Sequence, residues 1–68
     1  DNYCKYTNLL YDEFDYINRN KDATVNMKRK ELEEFISKNN DITKYPFLMK
    51  IADEFIDKQT INFQRCSN

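Results

Sequence analysis

Residues 46–58 read PFLMKIADEFIDK, and this stretch carries a clear helical pattern. Its apolar positions follow the i, i+3, i+4, i+7 spacing of one helix face, and they are Leu48, Ile51, Ala52 and Phe55. Pro46 suits the first turn of a helix, where its missing N–H removes no helical hydrogen bond. Asp41 or Thr43 offers a capping oxygen just before that turn. The stretch therefore predicts a helix over residues 46–58.

Two earlier segments repeat the same period. The first has a face made of Tyr3, Tyr6, Leu10, Phe14 and Ile17, and the second has a face made of Val25, Leu32, Phe35 and Ile36. Asp22 or Thr24 offers a capping oxygen before the second segment. Each of the three patterns stops at an acid–base pair four residues apart, and these pairs are Asp15–Arg19, Glu34–Lys38 and Glu54–Lys58. A cation in the last turn suits the negative end of the helix dipole.

These patterns predict an all-α fold, a small three-helix bundle with helices at about residues 5–19, 24–38 and 46–58. A chain of 68 residues has room for one small domain, residues 1–68. Because the sequence begins at Asp1 rather than at methionine, we expect a piece processed or excised from a longer secreted or surface protein.

The two cysteines, Cys4 and Cys66, stand near the two ends of the chain. Two cysteines so placed in a short chain predict a disulfide, and closing so long a loop contributes about 4 kcal/mol. The alternative is a pair of separate thiols in a reducing compartment. Since disulfides persist in oxidising compartments, the bridge predicts an extracytosolic setting, secreted or exposed at a cell surface.

The segment after the third helix, residues 59–65, alternates polar and apolar residues through Ile61 and Phe63, which predicts an extended or irregular tail. Eight extended residues reach about 26 Å, enough to return Cys66 along a first helix of about 22 Å to Cys4. If the third helix continued instead, the cysteines could pair only between two chains of an antiparallel homodimer.

A dimer linked in this way would resemble the secretoglobins, small all-helical secreted proteins with a cysteine near each end, joined between antiparallel subunits. The resemblance rests on Cys4, Cys66, the chain length and the helical pattern. The interior pattern of this chain does not follow that family.

The composition excludes several function classes. The chain has no glycine, which excludes a P-loop, a dinucleotide fingerprint, a nucleophile elbow and an EF-hand loop. It has no histidine, the commonest general base and metal ligand, so we expect no enzyme activity, cofactor or metal. A net charge of -1 gives no reason to expect nucleic-acid binding, and no apolar run is long enough to span a membrane. Nine asparagines and eight lysines beside two alanines indicate AT-rich coding.

The first helix has an apolar arc of about 220°. Beyond its central row it carries Leu9 and Tyr16 on one flank and Tyr11 on the other. With Met27, which lies outside the stripe of the second helix, these residues are the candidates for contact with a protein partner. The third helix is similarly broad, with Phe47, Met49 and Ile56 outside its central row. Alternatively, the flanks are core residues that the tail covers.

A basic cluster surrounds the start of the second helix and consists of Arg19, Lys21, Lys28, Arg29 and Lys30. Because only Asp22 opposes it locally, the cluster is a candidate site for an acidic protein, a sulfated glycan or a phospholipid headgroup. The alternative is a solvated charged turn.

Taken together, the sequence predicts a non-enzymatic protein–protein interaction module. The alternatives are a disulfide-linked dimeric carrier of a small apolar ligand and a structural spacer in a larger chain.

Overall fold

A computed structural model describes residues 2–67 and confirms the all-α, three-helix fold. Helix α1 spans Asn2–Arg19, α2 spans Val25–Lys38 and α3 spans Pro46–Lys58. A short 3₁₀ helix, Asn40–Lys44, connects α2 to α3, and an irregular tail follows α3. Helix α1 begins about one turn earlier than the predicted boundary, because its first turn is held by contacts to the rest of the chain.

The starts of α2 and α3 are stabilised in different ways. Thr24 caps α2 as predicted, since its Oγ1 accepts a hydrogen bond from the Met27 N–H (3.2 Å). The predicted capping of α3 by Asp41 or Thr43 is wrong, because both residues lie inside the 3₁₀ helix. Tyr45 precedes α3 with no side-chain cap, and Pro46 occupies the first turn.

Within residues 2–67, Ile42 of the 3₁₀ helix is the one buried core residue outside the three long helices, and it is 0% exposed. The neighbouring Asp41 carboxylate accepts a hydrogen bond from the Tyr6 hydroxyl of α1 (2.8 Å). That bond is the main reason why the pKa of Tyr6 is raised and the pKa of Asp41 is lowered, and the ion pair of Asp41 with Lys44 lowers the pKa of Asp41 further. The Tyr3 ring also packs against Tyr45 at 5.6 Å, so this end of α1 is tied to the α2–α3 connection.

The core lies between the three helices and the 3₁₀ helix, and its buried apolar residues are Leu10, Phe14, Ile17, Leu32, Ile42, Leu48, Ile51, Ala52 and Phe55. At its centre the rings of Phe14 and Phe55 stack nearly parallel, with centroids 4.1 Å apart. Full burial of an apolar side chain of this size contributes about 1.5–3 kcal/mol. Of the predicted face of α2, Leu32 is buried, Phe35 and Ile36 are half-buried, and Val25 is 49% exposed, so α2 contributes less to the core than its sequence pattern predicts.

The tail returns along α1, and the disulfide joins Cys4 to Cys66 within one chain, with Cα atoms 5.6 Å apart. The Asn8 side chain contacts the backbone of Cys66 twice, because Oδ1 accepts from the Cys66 N–H (2.7 Å) and Nδ2 donates to the Cys66 carbonyl (3.5 Å). Both cysteines are used by this bridge, so neither is left to form the interchain link of a covalent dimer.

Two side chains of the tail pack on α1. The Phe63 ring meets the rings of Tyr11 and Phe14 edge to face, with both centroid distances 5.6 Å. The guanidinium of Arg65 pairs with the Asp12 carboxylate and lies 5.8 Å from the Tyr11 ring centroid. The predicted extended or irregular tail is therefore confirmed.

Candidate interaction surfaces

The turn between α1 and α2 brings two of the predicted partner-binding residues together. Tyr16 of α1 and Met27 of α2 are 58% and 55% exposed, and both line a shallow cavity of about 130 Å³. Hydrogen bonds from the Asn20 N–H to the Ile17 carbonyl and from the Ala23 N–H to the Asn20 carbonyl hold the turn that sets this geometry. Tyr16, Asn20, Met27 and Lys28 line this depression, and Arg19 lines an adjoining one together with Tyr16 and Asn20. We call these five residues the corner surface.

The two other predicted partner-binding residues lie elsewhere on α1. Tyr11 is half-buried beneath the tail, in contact with Phe63 and Arg65. Leu9 is half-buried, about two turns before Tyr16 on the same flank of α1. The structure therefore brings Tyr16 and Met27 into one surface, while Tyr11 belongs to the packing of the tail.

The basic cluster is divided by the geometry of the helix. Successive residues of an α-helix point about 100° apart, so Lys28, Arg29 and Lys30 cannot share one face. Lys28 lines the corner cavity, whereas Arg29 lines a groove on the other side of α2. Lys21 and Lys30 are exposed, and the exposed Arg19 pairs with Asp15 at 3.3 Å. A glycan or headgroup site made by all five cations stays a prediction.

A half-buried carboxyl lies beside the corner surface. Oε2 of Glu13 on α1 is shielded from solvent, and Glu31 of α2, which also lines the corner cavity, is its neighbour. Burial is the largest cause that raises the pKa of Glu13 to about 7, and the hydrogen-bonding and charge interactions with Glu31 add to it, against a smaller opposing effect of Lys38. A protonated Glu13 can share its proton with the Glu31 carboxylate.

A second and larger depression lies between α2 and α3. This groove has a volume of about 560 Å³ and an apolar floor made of Leu32, Ile36, Met49, Ala52 and Ile56. Arg29, Glu33 and Ser37 line it from α2, and Asp53 lines it from α3. Met49 and Ile56 are two of the residues that the sequence pattern places outside the central row of the third helix. Because Leu32 is the one buried residue of α2, that helix leaves both of them incompletely covered.

Within residues 2–67 no three Asp, Glu or Cys side chains are close enough together to hold a metal ion. No helix in the same range is both long and apolar enough to cross a membrane. Comparison with protein-family models, with curated proteins and with solved structures gives no match to this chain.

Proposed function

We propose that this chain is a non-enzymatic protein–protein interaction module of a secreted or surface-displayed protein. The observation that carries the proposal is the convergence of Tyr16 and Met27, two large exposed side chains from different helices, on the corner surface. Tyrosine and methionine are both enriched in protein interfaces, because they present a large apolar contact area and tolerate a partly polar surrounding.

The charge around the corner surface selects the kind of partner. Lys28 lies on it and Lys21 is exposed in the adjoining turn, whereas Arg19 is already paired with Asp15 and Glu31 lines the same cavity. An acidic segment that also carries an apolar side chain complements both features, and electrostatic attraction would raise its association rate. The intrachain disulfide supports the extracytosolic part of the proposal, since such bridges persist in oxidising compartments.

Selection from a library of phage-displayed random peptides tests the proposal. The oxidised chain is immobilised in three forms: unchanged, Tyr16→Ala/Met27→Ala, and Phe47→Ala. Phe47 is a matched control, because it is also 58% exposed and lies in the first turn of α3, close to Tyr45, whose ring packs on Tyr3 at the other end of α1 from Tyr16. We expect peptides rich in Asp or Glu beside an apolar residue to be enriched on the unchanged chain and on Phe47→Ala only.

The selected peptides should also bind more weakly as the salt concentration rises, since the attraction to exposed cations is screened. Enrichment of the same peptides on all three forms would contradict a role of the corner surface. Failure to enrich any peptide would favour the structural spacer. A dimer on a non-reducing gel, in place of the monomer that the intrachain bridge predicts, would favour the dimeric carrier.

A further inference from the structure

The groove between α2 and α3 is open, whereas the comparable apolar surface of α1 is covered. The tail lies over α1 and places Phe63 against Tyr11 and Phe14. Over the groove floor, no segment of residues 2–67 takes the corresponding place, and a volume of about 560 Å³ is left between the two helices.

Two carboxylates line this groove from opposite sides, Glu33 on α2 and Asp53 on α3. Neither comes within 4.0 Å of a cationic group of residues 2–67, and Arg29, one turn before Glu33, makes no ion pair there either. The charged residues that line the groove therefore sum to -1, and neither of its two carboxylates is in an ion pair within residues 2–67. An occupant that brings a cation would complement them.

The tail itself shows which chemistry such a surface accepts in this molecule. It combines an aromatic ring on an apolar floor, Phe63, with a cation two residues later, Arg65, which pairs with the Asp12 carboxylate of α1. The α2–α3 groove offers the same combination, an apolar floor beside unpaired carboxylates. We infer that this groove is a second binding site, and that its occupant is a peptide segment of another protein with apolar side chains next to an arginine or lysine.

A peptide segment fits the groove better than a small molecule does. Sites for small molecules bury about 70–90% of the surface of their ligand. The α2–α3 groove is open to solvent, and its polar lining consists of Arg29, Glu33 and Ser37 on α2 and Asp53 on α3. A segment that lies along the groove needs contact on one side only, as helices and strands docked in surface grooves show.

The test is a nuclear magnetic resonance titration of the oxidised, isotope-labelled chain. The first probe is a blocked synthetic peptide with the sequence of residues 60–65, Thr-Ile-Asn-Phe-Gln-Arg, and the second has glutamate in place of its arginine. We expect the arginine peptide to shift the methyl signals of Ile36, Met49 and Ile56 with millimolar affinity. The glutamate peptide should bind about three- to tenfold more weakly, from the loss of one or two exposed ion pairs.

Two variants with the same change of net charge show whether the groove carboxylates are responsible. Glu33→Gln/Asp53→Asn should remove the preference for the arginine peptide. Glu34→Gln/Asp57→Asn should keep it, because these exposed carboxylates lie on the same helices but do not line the groove. Tyr16→Ala/Met27→Ala should also keep the preference for the arginine peptide. Binding at the groove and binding at the corner surface can therefore be tested independently of each other.

Four outcomes would overturn the inference. The first is the absence of shifts at 10 mM peptide, and the second is shifts confined to Tyr11 and Phe14, where the peptide would exchange with the tail. The third is equal weakening of arginine-peptide binding by both charge variants. The fourth is binding of n-hexylamine as tight as that of the arginine peptide. The last result would identify the groove as a site for small cationic amphiphiles.

Discussion

Gln59 stands where α3 ends, and it has the left-handed backbone conformation, with φ 59° and ψ 31°. Glycine is the usual residue at such a position because it has no Cβ, and this chain has no glycine. Gln59 compensates with its own hydrogen bonds. Its N–H donates to the Phe55 carbonyl (2.7 Å), and its side-chain Nε2 donates to the Ile56 carbonyl (2.7 Å).

The conformation of Gln59 gives a prediction about β-branched substitution. Gln59→Val should lower the free energy of unfolding by about 2 kcal/mol, since a branched Cβ is strained in the left-handed region and the side-chain bond is lost. Gln59→Gly relieves the backbone strain but also loses the side-chain hydrogen bond. Its free energy of unfolding should therefore lie between those of Gln59→Val and the unchanged chain. Urea unfolding measures these values, with Thr60→Val as the exposed neighbouring control. A Gln59→Val chain as stable as the unchanged one would contradict the left-handed end of α3.

Glu13 gives a prediction about pH. Its pKa of about 7 in the folded chain lies above the ordinary value of 4.5, so between these two pH values the folded state binds more protons than the unfolded state. The free energy of unfolding should therefore fall as the pH rises through this window. Glu13→Gln should flatten that dependence and stabilise the chain at pH 8 by about 1 kcal/mol, a value reduced for solvent screening of a half-buried group.

Urea unfolding at pH 5 and pH 8 measures the effect of Glu13. Glu34→Gln is the control, because it makes the same change of charge at an exposed position of α2. A Glu13→Gln chain that keeps the pH dependence of the unchanged chain would show that another group titrates in this window.

At the scale of elements, α3 has its predicted bounds. One stretch of sequence contains the helical spacing of apolar residues, the proline of the first turn and the acid–base pair at the end. The 3₁₀ helix has no such local signal. Its one buried residue, Ile42, is a single apolar residue between polar ones, and its burial depends on the way α2 and α3 meet. The corner surface is similar, since Tyr16 and Met27 are each predicted from one helix, while their convergence depends on the turn between helices. The periodicity of the sequence identifies the apolar face of each helix, but the position of a surface made by two helices depends on the contacts between them.

The tail is an element whose packing can be measured. Phe63→Ala should lower the free energy of unfolding by about 2 kcal/mol, less than for a fully buried phenylalanine because this ring is half-buried against α1. Gln64→Ala, an exposed neighbour, should have little effect. Thermal unfolding under non-reducing conditions compares the two. Equal midpoints for Phe63→Ala and the unchanged chain would mean that the tail is held by the disulfide alone.

At the scale of the whole molecule, the disulfide closes a sequence separation of 62 residues around a small core. The loss of chain entropy in the unfolded state then contributes about 4 kcal/mol, against a total of about 3–10 kcal/mol expected for a domain of this size. Covalent closure is thus comparable with everything that packing contributes in net terms.

The corresponding prediction concerns the double variant Cys4→Ser/Cys66→Ser. Its free energy of unfolding in guanidinium chloride should be about 4 kcal/mol below that of the oxidised chain. The unchanged chain under reducing conditions should behave like the double variant, which controls for the serine substitutions themselves. A loss below about 1 kcal/mol would mean that the packing of the tail, and not the bridge, closes the molecule.

The position of the bridge also determines how the domain transmits mechanical load. Cys4 and Cys66 bring the two ends of the chain to one point, with Cα atoms 5.6 Å apart, and nearly all of the folded chain lies between them. A pull applied through flanking segments would pass across the S–S bond and bypass the helices. The oxidised domain would then act as an inextensible link in a longer chain, with its binding surfaces intact under tension. Reduction would convert the same domain into an extensible one.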